Sequence, residues 1–445
     1  MDTLERRLQK RIHVSLYALL FLTSLLGLSV LLEGCTDKCE VTNEYTYYKP
    51  VYTTLDELRA SVAVTAPEPI KSVGKIYYKG GFLFVNEPGK GIHIIDNHNP
   101  SAPVNKSFIT IPGSFELAIK GDLLYADSYI DLVVLDIASL ENITEVNRIE
   151  NVFSNYNSLG FYTDAEKGVV TDWAETKDVS IQQSDCEANI QTWGGIYYSE
   201  GIALASNVTF DKSAAIAPGN GSGPGVGGSM ARFTINQDYL YTLDAGNLQP
   251  VDITDGKNPI AKTKTYVNGD IETIFPYGEN LFIGSSSGMY IFNVSTPATP
   301  SLVSTYAHVR SCDPVVVDGN YAYVTLRSGT TCQGFTNQLE VIDITNLQSP
   351  QLIKTYSMTN PHGLGKDNET LFICDGDAGL KVYDASDINA IDSKQLAHYQ
   401  NINAYDAIPF NNVLMMIGED GLFQYDYADP KNIKLLSHIV VSNEE

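Results

Sequence analysis

Residues 132–136 read LVVLD. The phrase returns as IHIID (92–96), LQPVD (248–252), MYIFN (289–293), LEVID (339–343), LKVYD (380–384) and LFQYD (422–426). Apolar residues fill alternate positions and most of the positions between. Alternation marks a strand, and apolar residues on both faces mark a strand covered on both sides. Each run ends in Asp or Asn followed by turn chemistry, as in DNHNPSAP (96–103), DITDGKNP (252–259) and DITNLQSP (343–350). A carboxylate or amide there accepts hydrogen bonds from backbone amides two residues on and starts a turn, and Pro fixes the bend.

The intervals between the Asp/Asn anchors are 40, 116, 41, 50, 41 and 42 residues. A period near 41 is that of a four-stranded propeller blade. The other three strands are legible around each phrase. FELAIKG (115–121), LLYADSY (123–129), DLVVLDI (131–137) and ITEVNRIE (143–150) make one unit. AYDAIPF, VLMMIGED, GLFQYDY and IKLLSHIV make the last. The 50-residue step holds the loop RSGTTCQGFTNQ (327–338). The 116-residue step has room for a degraded unit, with strands SLGFYTD (158–164), GVVTDWAE (168–175) and KDVSIQQ (177–183), and an insertion over about 186–228. The expected fold is all-β: a β-propeller of four-stranded antiparallel blades over 70–445, eight blades by this count, seven as the alternative. SVAVT (61–65) is a strand that could join from the N-terminal side.

The chain carries 29 Lys and Arg against 53 Asp and Glu, a net charge of −24. That argues against a nucleic-acid partner, which needs a basic surface. At the N-terminus, Arg6, Arg7, Lys10 and Arg11 precede the uncharged apolar run 14–32. Leu32-Glu33-Gly34-Cys35 then resembles a bacterial lipobox, whose Cys is acylated and becomes the new N-terminus. The domain reading is therefore 1–34 signal peptide or membrane anchor, 35–69 tether and 70–445 propeller. Cys35 is the expected lipidation site. The apolar run is also long enough to span a bilayer, so an uncleaved N-terminal helix is the alternative. Either reading places the propeller outside the cytoplasm, the first on the outer membrane, and there disulfides can form. Cys312 and Cys332 map to one rim and are the preferred pair, Cys332 and Cys374 the second choice.

Glu116, Asp270, Asp313 and Asp406 start inner strands of different units and are expected to crowd the axis. Converging carboxylates suit a hard divalent cation, Ca²⁺ first, whereas the ordinary use of such residues is in hairpin turns. GNGSGPGVGG (219–228) spells a glycine-rich phosphate loop but leads into a strand instead of a helix. GSSSG (284–288) spells a nucleophile elbow but joins two strands. No catalytic residue and no cofactor is predicted.

The repeated phrase resembles the LVIVD repeat. GKGIHIIDNHNPSAP (89–103), CDPVVVDGNYAYVTLRSG (312–329) and NPHGLGKDNETLFICDGDAGLKVYD (360–384) are similar to segments of LVIVD-repeat lipoproteins of Bacteroidetes-type bacteria. The resemblance implies a propeller at the cell envelope and no particular reaction. The expectation is a membrane-tethered, non-catalytic module for an envelope protein, peptide or glycan. A metal-dependent hydrolase or lyase with an axial carboxylate site, and a structural surface-layer protein, are the alternatives.

Overall fold

The computed structural model describes residues 38–153, 163–164, 166–185, 226–309, 314–329 and 336–442. Among them, seven four-stranded up-and-down units follow one another, at 76–110, 117–149, 233–266, 271–307, 315–357, 364–399 and 404–440. In the third unit two short strands, Ile260–Ala261 and Thr265–Tyr266, share the outer place. Each repeated phrase is the third strand of its unit and pairs on both sides. That position explains its apolar density: Leu132, Val133 and Val134 are 0 % exposed.

Neighbouring units share apolar cores. One core runs from Tyr77 and Phe84 through Leu117 and Val134 to Phe233 and Leu240, joining the first three units. Another joins the first and last through Ile76, Leu83, Ile408 and Met415. The units thus close a ring, and the fold is a β-propeller. Burying both faces of every sheet between neighbours is what makes a ring of blades stable.

The expected eight units appear as eight sheets that divide seven and one. The eighth has three strands: Lys38–Thr53 pairs with Gly168–Asp185, which pairs with Thr163–Asp164. The two strands expected at 168–175 and 177–183 are one continuous strand of 18 residues. The joint between them, Glu175-Thr176-Lys177, lacks the Gly, Asn or Pro that a tight turn uses. The inner strands of the second and third blades, Leu117–Lys120 and Phe233–Asn236, lie against each other. Of the described residues, 38–51 and 172–185 form a compact unit of their own.

The stretch read as a tether holds regular structure from Lys38 onward. After the long strand, Thr54 and Glu57 form a capping box that starts the helix Leu55–Ala60. Ala63–Thr65 then pairs with the outer strand Val104–Thr110 and gives the first blade a further outer strand. Among the described residues no strand is exchanged between the first and last blades. Their seam is closed by side-chain bonds and a backbone bond. Asn97 Nδ2 donates to Gln424 Oε1 at 2.8 Å and Gln424 Nε2 returns a bond to Asn97 Oδ1 at 2.7 Å, both residues buried. Ser437 Oγ donates to the Pro100 carbonyl at 2.7 Å, and Ser442 N to the Ile70 carbonyl at 2.7 Å. No described helix is long and apolar enough to cross a membrane.

Candidate functional site

All seven anchor residues make the turn their chemistry suggests. The side-chain oxygens of Asp96, Asp136, Asp252, Asn293, Asp343, Asp384 and Asp426 each accept from the backbone N–H two residues on, at 2.8–3.2 Å. Hydrogen bonding to the ionised form holds several of these carboxyls below the usual range. The Lys257 ammonium, then the Ala138 amide, does so for Asp136. Thr345 does so for Asp343, and Ser386 for Asp384.

The acids expected at the axis have other partners. Glu116, 4 % exposed, lies 3.3 Å from Lys75 Nζ through Oε1 and accepts from Arg232 N at 3.1 Å through Oε2. Asp406, 0 % exposed, accepts through Oδ1 from Ser229 N at 3.3 Å and from Ser229 Oγ at 3.0 Å. The same hydroxyl accepts from Leu364 N at 2.7 Å. Lys75 Nζ also donates to Met230 O at 2.7 Å, and Ile274 N to Ala231 O at 2.9 Å. Val226 and Gly227 pair with Tyr78 and Tyr77 on the first blade's inner strand.

Residues 226–232 therefore touch the inner ends of the first, second, fourth, sixth and seventh blades before entering the third. A segment that reaches five blades from inside the ring is a strap across the axis. Glu116 and Asp406 hold it. Asp270 is exposed and accepts from Ser286 Oγ at 3.0 Å, so it clasps the GSSSG hairpin. Asp313, with Cys35, Cys312 and Cys332, lies outside the described residues. Cys374 is a buried free thiol, so the second disulfide choice is not formed. Among the described residues no group of three or more His, Cys, Asp or Glu is placed to hold a metal ion.

Other rim acids are braces. Asp131, fully buried, binds Arg59 at 2.8 Å and Arg148 at 3.3 Å and accepts from Asn151 N at 2.8 Å. That brace fixes the helix Leu55–Ala60 to the second blade. Asp375 accepts from Asn360 N at 2.8 Å and pairs with Lys381. Asp127 differs. It accepts from Phe115 N at 2.7 Å and Glu116 N at 2.8 Å, yet burial, with repulsion from Glu116, pushes its carboxyl up to about 7.

One concave site was not foreseen from the sequence. A cleft of about 290 Å³ opens at the seam between the first and last blades, on the side of the hairpins joining first to second strands. Tyr78, Phe410, Val413 and Met415 supply its apolar wall, and Asn97, His98 and Asn411 its polar part. The Tyr78 and Phe410 rings lie 4.9 Å apart, tilted by 44°. The His98 ring has Nδ1 2.8 Å from Asp96 Oδ1 and sits edge-on to Phe82 at 5.0 Å. The available signal was an aromatic near the end of the inner strand in the first and last units, Tyr78 one pair before the turn and Phe410 at the last pair. Its meaning depends on which blades adjoin across the closure, and the repeats are silent on that.

The ring of blades, with the strap against its inner strands, defines a β-propeller, and among the described residues one concave surface lies at the seam of the first and last blades. Comparison with known proteins adds that the chain carries LVIVD repeats: that family matches residues 72–110 and 310–358. No curated protein matches the chain. Among solved structures, a functionally unknown protein from Desulfotomaculum acetoxidans is 12 % identical, covering 80 % of this chain and 99 % of its own, at a TM-score of 0.46. BamB from Moraxella catarrhalis is 9 % identical, covering 86 % and 97 %, at 0.44. PorZ, a surface component of the type-IX secretion system of Porphyromonas gingivalis, is 13 % identical, covering 84 % and 39 %, at 0.45. These likenesses are of fold alone.

Proposed function

We propose that this propeller is a non-catalytic binding module held at the cell envelope by lipid on Cys35. The observation that carries the non-catalytic part is the use of Glu116 and Asp406. The acids best placed to build an axial site are spent on the strap at 226–232. Carboxylates locked to backbone amides, a lysine and a serine have few lone pairs left for a cation or for proton transfer. Support for the address comes from the basic, apolar and Leu-Glu-Gly-Cys sequence of 6–35. Loops on a rigid ring then offer a protein, peptide or glycan a fixed surface.

Three measurements test the reading. Tagged protein cross-linked in intact cells and examined by mass spectrometry is expected to yield one reproducible envelope partner. Replacement of Cys35 by Ser is expected to remove the protein from the membrane fraction. A stoichiometric metal in protein purified without added ions, lost on replacing Asp313 and Asp406 by Ala, would overturn the non-catalytic reading in favour of a metal-dependent hydrolase or lyase.

A further inference from the structure

We propose that the seam cleft is a carbohydrate subsite that seats one uncharged pyranose ring. The proposal deepens the binding-module reading and rests on it. Its first support is size. At about 290 Å³ the cleft lies at the small end of ligand pockets, room for a single ring. Its second is the wall. Tyr78 and Phe410 present tilted ring surfaces beside Met415, which is 1 % exposed. Aromatic faces carry partial negative charge and attract the C–H face of a sugar, which an aliphatic wall does not.

The third support is charge. None of the residues lining the cleft is Asp, Glu, Lys or Arg, although the chain is strongly acidic. A charged ligand would find no counter-ion there, and a neutral polyol needs none. The fourth is the posture of His98. Its side chain is 63 % exposed yet held by Asp96, by the Phe82 edge and by contact with Gly81. Gly81 has φ +86°, and a Cβ there would lie 2.5 Å from His98 Nε2, so glycine lets the imidazole lie flat over the turn. Fixing an exposed side chain costs rotamer entropy. That cost is offset if the ring hydrogen-bonds a hydroxyl of a bound sugar, with the Asn411 amide at the opposite lip.

Saturation-transfer NMR on the full chain tests this. The probes are methyl glycosides of glucose, galactose, mannose and N-acetylglucosamine, with N-acetyl-tyrosine amide as a non-sugar aromatic. At least one glycoside is expected to receive saturation on its ring C–H protons. Tyr78→Ala is expected to weaken its affinity roughly tenfold, and His98→Gln severalfold. If Tyr78→Ala shifts the thermal midpoint, Tyr78→Leu keeps the apolar volume and removes the ring. No transfer to any glycoside, transfer unchanged in both variants, or transfer to N-acetyl-tyrosine amide alone overturns the proposal. The binding-module reading fails separately, through a bound catalytic metal.

Discussion

A single oxygen at each anchor position starts the turn after the third strand, and the protein shows that the acceptor matters more than the charge. Asn293 fills the place in the fourth blade that Asp fills in the other six, with the same bond to the amide two residues on. The Asp anchors at 136, 343 and 384 have carboxyls held low by their bonds. A depressed folded-state value contributes stability that is present above the unfolded value, about 3.9, and is lost as pH falls through the folded one. The thermal midpoint is expected to drop in acid below about pH 4. Asp343→Asn should keep the turn and lessen that drop, whereas Asp343→Ala should destabilise at every pH. Asp127 has the opposite sign, because its carboxyl is raised to about 7. Its contribution is full below the unfolded value and lost as pH rises toward 7. Asp127→Asn can still accept from Phe115 N and Glu116 N, without the charge beside Glu116. Melting curves from pH 5 to pH 8 should show the variant gaining on the wild type as pH rises. A constant difference would mean that Asp127 is not the titrating group.

Blades and strap differ in how far the sequence discloses them. Strand four passes so close to the start of strand three that a Cβ on Gly421 would sit 2.0 Å from the Ile439 carbonyl oxygen, with φ at +128°. Gly379 meets the Tyr399 carbonyl in the same way. Gly421→Ala is therefore expected to cost more than about 1 kcal/mol in chemical denaturation, since neither the strand nor the dihedral can yield freely. Such glycines, the apolar pentads and the Asp/Asn-Pro turns recur, and recurrence made the blades readable to within a residue or two. The strap has no such pattern. GVGGSMAR (225–232) shows neither alternation nor a helical stripe, and its bonds to Glu116 and Asp406 span more than a hundred positions. The repeats disclose that Glu116 and Asp406 lie at the starts of inner strands, but their partner at 229–232 is not legible there, because it comes from outside the repeats. Removing the Asp406 carboxylate leaves buried donors on Ser229 without it, so Asp406→Ala should destabilise by about 1–3 kcal/mol. The exposed Asp270→Ala should stay within about 0.5 kcal/mol. In a cycle with Ser229→Ala, the Asp406 effect should be non-additive, and simple additivity would remove the strap from the account of stability.

At the scale of the ring, the question is what holds the first blade to the last. Many contacts within a blade are local, but this seam joins residues over 320 positions apart, and among the described residues no strand is shared across it. The apolar core around Ile76, Leu83, Ile408 and Met415 supplies the attraction. Apolar packing is non-directional and would tolerate a slip of one blade against the other. The reciprocal Asn97–Gln424 amides fix the register, since both bonds can form only in one alignment. They also set the geometry of the cleft, because Asn97, His98 and Pro100 come from one side of the seam and Phe410, Val413 and Met415 from the other. Truncating Gln424 leaves the buried Asn97 amide without its partner, and truncating Asn97 leaves Gln424 Oε1 without its donor, although Nε2 keeps Pro100 O and Ser437 Oγ. Asn97→Ala and Gln424→Ala should each cost about 1–3 kcal/mol. The double variant should cost clearly less than their sum, because the second truncation removes the orphan left by the first. If the seam amides specify alignment, the double variant should also lose glycoside saturation in the cleft while remaining folded by circular dichroism. Retained saturation with the amides gone would show that the apolar core alone sets the register.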